Sequence, residues 1–104
     1  MKLSFDNLKF TEVRPNHFQA IHQFGQYELS VILEERKTRY EVAIFKDDEF
    51  VQLPGIHPDY GREGAGSDVI PYLLPEDVTG IMAKLEFLES FSKEVDIYPK
   101  DVIV

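Results

Sequence analysis

The sequence predicts an α+β domain: an antiparallel four- or five-stranded meander sheet with one amphipathic C-terminal helix packed on one face. Three observations predict it. Apolar and polar residues alternate with period two through the first two-thirds of the chain. The alternating runs are joined by connections of only a few residues. Residues 75–92 then carry an apolar stripe at helical spacing behind a strong helix-start signal. A chain of 104 residues makes a single domain, here 1–104, divided into a sheet region 8–53, a loop 54–74, a helix 75–92 and a tail 93–104.

The elements follow in order. Leu8, Phe10 and Glu12 against Lys9, Thr11 and Val13 give a weak first strand. Phe18, Ala20, His22 and Phe24 alternate with Gln19, Ile21 and Gln23, and Tyr27, Leu29, Val31 and Leu33 with Glu28, Ser30, Ile32 and Glu34. Gly25-Gln26 separates these two runs, and glycine supplies the positive φ of a tight hairpin. Tyr40, Val42 and Ile44 form the next run after Glu35–Arg39, and Phe50–Leu53 a short last one after Lys46–Glu49. A parallel crossover needs a dozen or more residues, so these neighbours are antiparallel.

Pro54, Gly55, Pro58, Gly61, Gly64, Gly66 and Pro71 mark the long loop. Pro75 followed by Glu76 and Asp77 opens the helix, because proline suits a first helical position and acids favour the positive end of the helix dipole. Val78, Ile81, Met82, Leu85, Leu88 and Phe91 form its stripe, which must bury against one face of the meander. Val95–Tyr98 and Val102–Val104 offer an edge strand or a segment docked on the helix, and Pro99 rules out a long central strand there.

Composition narrows the function classes. A formal net charge of -8 repels polyanions, so no general nucleic-acid binding is expected. The absence of cysteine excludes disulfides, thiolate metal sites and cysteine nucleophiles. No stretch reads as a signal peptide or membrane span, so the expected location is cytoplasmic, with no membrane partner.

The glycine-dense run Gly61–Asp68 (GREGAGSD) is the natural place to look for chemistry. As a phosphate loop it has Gly61 and Gly66 correctly separated, but Ser67 and Asp68 stand where lysine and a hydroxyl residue are needed. Val69-Ile70-Pro71 follows, where a phosphate loop opens a helix. As a calcium loop starting at Asp59 it places Gly64 correctly, but Gly61 and Ile70 occupy ligand positions. Asp59, Glu63 and Asp68 remain candidates for an irregular cation site, set against solvated loop acids.

His17 and His22 fall on opposite faces of one strand, a poor chelate, and His22 reads as a half-buried strand residue. His57 and Asp59 flank Pro58 but fall short of the three or four ligands zinc takes. No Gly-x-Ser-x-Gly elbow anchors a nucleophile. The acid groups Glu34-Glu35, Asp47-Asp48-Glu49 and Glu76-Asp77 are explained by turns and by the helix dipole.

The segments PNHFQAIHQFGQYELSVI, YEVAIF, LPGIHP and DVIPYLLPEDVTGIMAKL, in that order, resemble small uncharacterised proteins of tailed bacteriophages and prophages. The likeness spans residues 13–88 and departs at Pro71 and at Leu74-Pro75, where glycine and threonine are expected. It implies a phage or prophage origin and carries no catalytic residues.

With no catalytic, cofactor or metal motif surviving, the expectation is a small acidic non-enzymatic accessory or interaction protein that binds another protein. The loop 54–74 supplies the interface candidates Tyr60, Tyr72, His57 and Arg62, set against simple packing of that loop on the core. Two alternatives stay open: a DNA-mimic inhibitor of a host nucleic-acid enzyme, and a metal-binding domain or metal-dependent enzyme using His57, Asp59 and Asp68. A homodimer through an edge strand or the tail is compatible with either.

Overall fold

The computed structural model describes residues 3–58, 60 and 68–97, the last seven by backbone alone. Among the described residues, six strands and one long helix follow in chain order: β1 (Thr11–Arg14), β2 (His17–Phe24), β3 (Tyr27–Leu33), β4 (Tyr40–Lys46), β5 (Glu49–Phe50), β6 (Val69–Leu73) and α1 (Pro75–Ile97). The first five run as an antiparallel meander, and β6 pairs with β4. β5 and β6 share one edge of β4: β5 sits against Phe45 and Lys46, and β6 against Tyr40, Val42 and Ala43.

Turn chemistry sets the register. Gly25 has φ 60° and opens a two-residue hairpin of the kind the sequence predicts. A side chain there would also run into Glu89 of α1, so this position requires glycine on two counts. Asp47 and Asp48 both lie in the left-handed region, at φ 55° and 65°, which closes the β4–β5 hairpin with no glycine. Asparagine and aspartate tolerate that region better than other side chains.

One face of the sheet carries the core. The register lines up Ala20, Val31, Val42 and Ile70 across four strands. Leu29 and Ile44 pair beside them, and Val78, Met82 and Leu85 of α1 pack over this face, all fully buried. Each such side chain contributes roughly 1.5–3 kcal/mol by leaving water. The helix start is capped as its residues predict: the Asp77 carboxylate accepts the Leu74 N–H at 2.8 Å.

Four expectations are corrected. The weak first strand is present only in its second half: β1 starts at Thr11, residues 8–10 form no strand, and a 3₁₀ turn at Phe5–Asn7 precedes them, held by the Ser4 N–H donating to Asn7 Oδ1 at 2.8 Å. Phe5, Phe10 and Tyr40 instead form an aromatic cluster, with Phe5 and Tyr40 edge-on at 4.9 Å. The Phe5 N–H donates to Thr79 Oγ1 at 2.9 Å, so this segment ties α1 to the sheet.

The last short strand is Glu49–Phe50, not Phe50–Leu53; after Val51 donates to the Ile44 carbonyl the chain turns away. The end of the long loop is β6, and Pro71 is tolerated because it lies on an edge strand. Finally, α1 continues to Ile97, past residue 92, so residues 93–97 are helix; the rest of the expected tail lies outside the described residues.

Candidate functional site

The other face of the sheet is left bare by α1, and its residues are the surprise. The register places Ile21, Ser30, Ala43 and Val69 side by side across four strands, with Gln19, Ile32 and Glu41 in the next row. Ser30 and Ala43 are small, so the middle of this face is recessed between larger neighbours. The Gln19 amide donates to Ser30 Oγ at 2.9 Å, which satisfies that buried hydroxyl. A hollow of about 420 Å³ lies over Gln19, Ile32, Glu41, Ala43 and Val69. That is within the usual range for small-molecule and side-chain pockets.

Two β-bulges frame it. In β1, Glu12 pairs with Phe18 and Arg14 with His17, leaving Val13 as the extra residue. Val13, Arg14 and His17 all line the hollow. In β6, Tyr40 pairs with Leu73 and Val42 with Ile70, so Pro71 and Tyr72 together face the single residue Glu41. Tyr72 takes φ 63° there and is 74% exposed. A tyrosine in the left-handed region is strained by roughly 1–2 kcal/mol. Bulges re-aim side chains beside functional sites. Tyr72 borders a second, smaller hollow of about 200 Å³ with Lys37 and Arg39, and Glu41 belongs to both hollows.

At the rim the Glu34 and Glu41 carboxyls meet, so that a hydrogen bond joins them when one of the two is protonated. Glu34 directly follows β3 and is the diagonal neighbour of Glu41 on β4, within reach of two long side chains. The hydrogen bond to Glu34, then burial, then the Glu34 charge raise Glu41 above its ordinary value. The same bond lowers Glu34; the positive charge of Lys37, His17 and Arg14 acts in the same direction, and burial opposes it. The two therefore titrate as a coupled pair. Read from sequence, Glu34 was a solvated turn acid beside Glu35; its partner is Glu41 instead, because the strand register brings β3 and β4 together there.

The predicted interface residues scatter. His57 is buried, not exposed: its Nδ1 accepts the Leu53 N–H at 2.9 Å and closes the turn after β5. Its Nε2 then carries the proton of the neutral ring and is buried with no hydrogen-bond partner assigned among the described residues. Burial lowers the His57 pKa, and the neighbouring Asp68 backbone and carboxylate only partly offset this. Tyr60 is half-exposed beyond that turn, with its N–H on the His57 carbonyl at 3.2 Å. Arg62, Asp59, Glu63 and the glycine run up to Ser67 lie outside the described residues.

Ile56, His57 and Ile70 are buried, so the ends of the loop pack on the core, as one of the two expectations had it. His22 is half-buried against Phe24 at 4.8 Å. Among the described residues no group of three His, Cys, Asp or Glu stands ready for a metal ion, and no helix is long and apolar enough to cross a membrane.

Sequence reasoning missed the hollow because it took the second face as the wet one. Ile21, Ile32 and Phe45 at its outward positions were the available signal. Comparison with protein-family models, with curated proteins and with solved structures finds no match to this chain.

Proposed function

We propose that this chain is a small non-enzymatic accessory protein that binds another protein through the bare face of its sheet. The observation that carries this reading is the recessed hollow of about 420 Å³, framed by two bulges and flanked by exposed apolar side chains. Val13 and Ile21 on this side are 57% and 56% exposed. Water-exposed apolar surface around a shaped depression is what a partner covers. The strain held at Tyr72 supports the same reading, since costly backbone conformations persist where they serve a site. The resemblance to phage and prophage proteins fits an accessory role toward a host or phage component.

The acids do not converge on a DNA-like face: Glu34 and Glu41 lie at one end of the sheet among cations, and Asp47 and Asp48 at the other.

A photo-crosslinking residue placed at Ile32 or Val69 tests the proposal in cells that naturally carry the protein. A discrete adduct with a second polypeptide from these positions, and none from exposed Gly80 of α1, is the expected result. Equal adducts from Gly80, or none from the sheet face, would overturn it.

A further inference from the structure

The two ends of the sheet differ in how their acids are answered. At one end, the segments 12–17 and 34–41 hold Glu12, Glu34, Glu35 and Glu41 against Arg14, Arg36, Lys37 and Arg39, so their charges cancel. Two of these acids are also tied down: the Asn16 N–H donates to Glu12 Oε2 at 2.9 Å, and the Asn16 side-chain amide to Glu35 Oε1 at 3.3 Å. At the other end, the hairpin segments 23–28 and 45–50 hold Glu28, Asp47, Asp48 and Glu49 against Lys46 alone. Lys46 lies opposite Glu49 in the register. Glu28, Asp47 and Asp48 are left with no side-chain hydrogen bond or ion pair among the described residues.

Those three carboxylates border the bare face. Glu41, Ala43 and Phe45 are its residues along β4, and the register sets Gln23, Glu28, Phe45 and Phe50 in one row beyond Ala43. A third hollow, of about 220 Å³, opens over this row, lined by Gln23, Gln26, Glu28, Phe45, Asp47 and Asp48. The Phe45 and Phe50 rings lie 4.6 Å apart, and Phe50 is half exposed. Ala43, under the large hollow, is about 13 Å from Asp47 along the strand direction, which an extended segment of about five residues spans.

We infer that the bare sheet face takes an extended basic segment of a partner protein, seating an apolar side chain over Ala43 and Val69 and a lysine or arginine among Glu28, Asp47 and Asp48. The cation there also meets the rings of Phe45 and Phe50, whose faces attract positive charge. Charge complementarity selects this occupant, through unpaired carboxylates at one end of the face and a formal net charge of -8 on the whole chain. An acidic segment or a nucleic acid would add anions to three that are already uncompensated. A second copy would bring the same excess of acid. A metal ion finds no ready site, since among the described residues no group of three acids or histidines stands close enough to hold one. This occupant presupposes the proposed binding role and adds the partner's chemistry.

Selection of random twelve-residue peptides on the full chain tests it. The enriched peptides are expected to be basic with interspersed apolar residues. The double variant D47N/D48G removes two of the carboxylates and keeps a turn pair suited to positive φ. Peptide affinity should fall at least about tenfold on it and with added salt. Affinity should stay unchanged on E35Q/E76Q, which removes as much charge away from this end. Amide shift mapping with the best peptide should move Glu28, Ala43, Phe45 and Val69.

The failures separate. Peptides that map to these residues but are neutral or acidic, or that bind D47N/D48G as tightly as the wild type, overturn the basic partner and leave the binding face. An equal loss on E35Q/E76Q does the same, because it reduces the attraction to the overall charge. Peptides that map elsewhere, or no enrichment at all, overturn both. Calcium or magnesium alone shifting the amides of Glu28, Asp47 and Asp48, or self-association that D47N/D48G strengthens, also overturns the basic segment as occupant.

Discussion

The two faces of one sheet have opposite fates. On the helix side Leu29, Val31, Val42 and Ile44 are fully buried and matched by Val78, Met82 and Leu85. On the bare side the neighbouring strand positions hold Ile21, Ser30, Ile32 and Ala43, of which Ile21 stays more than half exposed. Alternate residues of the same strands thus serve two tasks. The helix face supplies folding free energy. The bare face spends apolar surface without the α1 cover that would repay it, and this marks it as the working surface.

The contrast is sharpest where it is easiest to break. Leu29→Ala or Leu85→Ala should cost about 2–5 kcal/mol, read as a lower melting temperature or denaturant midpoint. His57→Ala removes both a buried ring and the acceptor for the Leu53 N–H, at about 2–3 kcal/mol. Burial lowers the His57 pKa, so between its folded value and the ordinary 6.5 the unfolded chain binds more protons than the folded one. Stability is therefore full above pH 6.5 and falls as the pH drops through that window. A pH series of melts should show the advantage of the wild type over His57→Asn shrinking below pH 6.5.

The bare side should respond in the opposite sense. Tyr72→Gly relieves the strained φ of 63° and is expected to raise stability by about 0.5–1 kcal/mol while weakening partner binding. Ile21→Ser should leave stability within about 0.5 kcal/mol and reduce binding.

The smallest effect belongs to the carboxyl pair. Glu34, lowered, stabilises above its ordinary 4.5, and this is lost as the pH falls through its folded value. Glu41, raised, stabilises below 4.5, and this is lost as the pH rises through its folded value. The paired state is favoured between the two. Glu41→Gln keeps a donor toward Glu34, so its melting temperature should lose the decline on the alkaline side of that window.

The helix side was legible in the sequence and the bare side was not, for a physical reason. Period-two alternation and the Pro75-Glu76-Asp77 start are local signals, and they give the meander, the buried stripe and the capped helix. A bulge is a one-residue slip with no compositional mark, so neither Val13 nor the pair Pro71-Tyr72 announced it. Pro71 also disguised β6 as loop. The Glu34–Glu41 contact is a diagonal across a register that only the folded sheet defines. Two predicted interface residues divide the same way: His57 is consumed by its turn, and Tyr72 stands exposed because a bulge puts it there.

Ala43→Leu is the most direct probe of the division between the faces, because it adds three carbons to the floor of the 420 Å³ hollow. The measurement is the affinity of the variant for the partner polypeptide identified by crosslinking, with its melting temperature recorded alongside. The account predicts stability changed by less than about 1.5 kcal/mol and affinity lowered at least about tenfold. An Ala43→Leu protein that folds as well and binds as tightly as the wild type would contradict it.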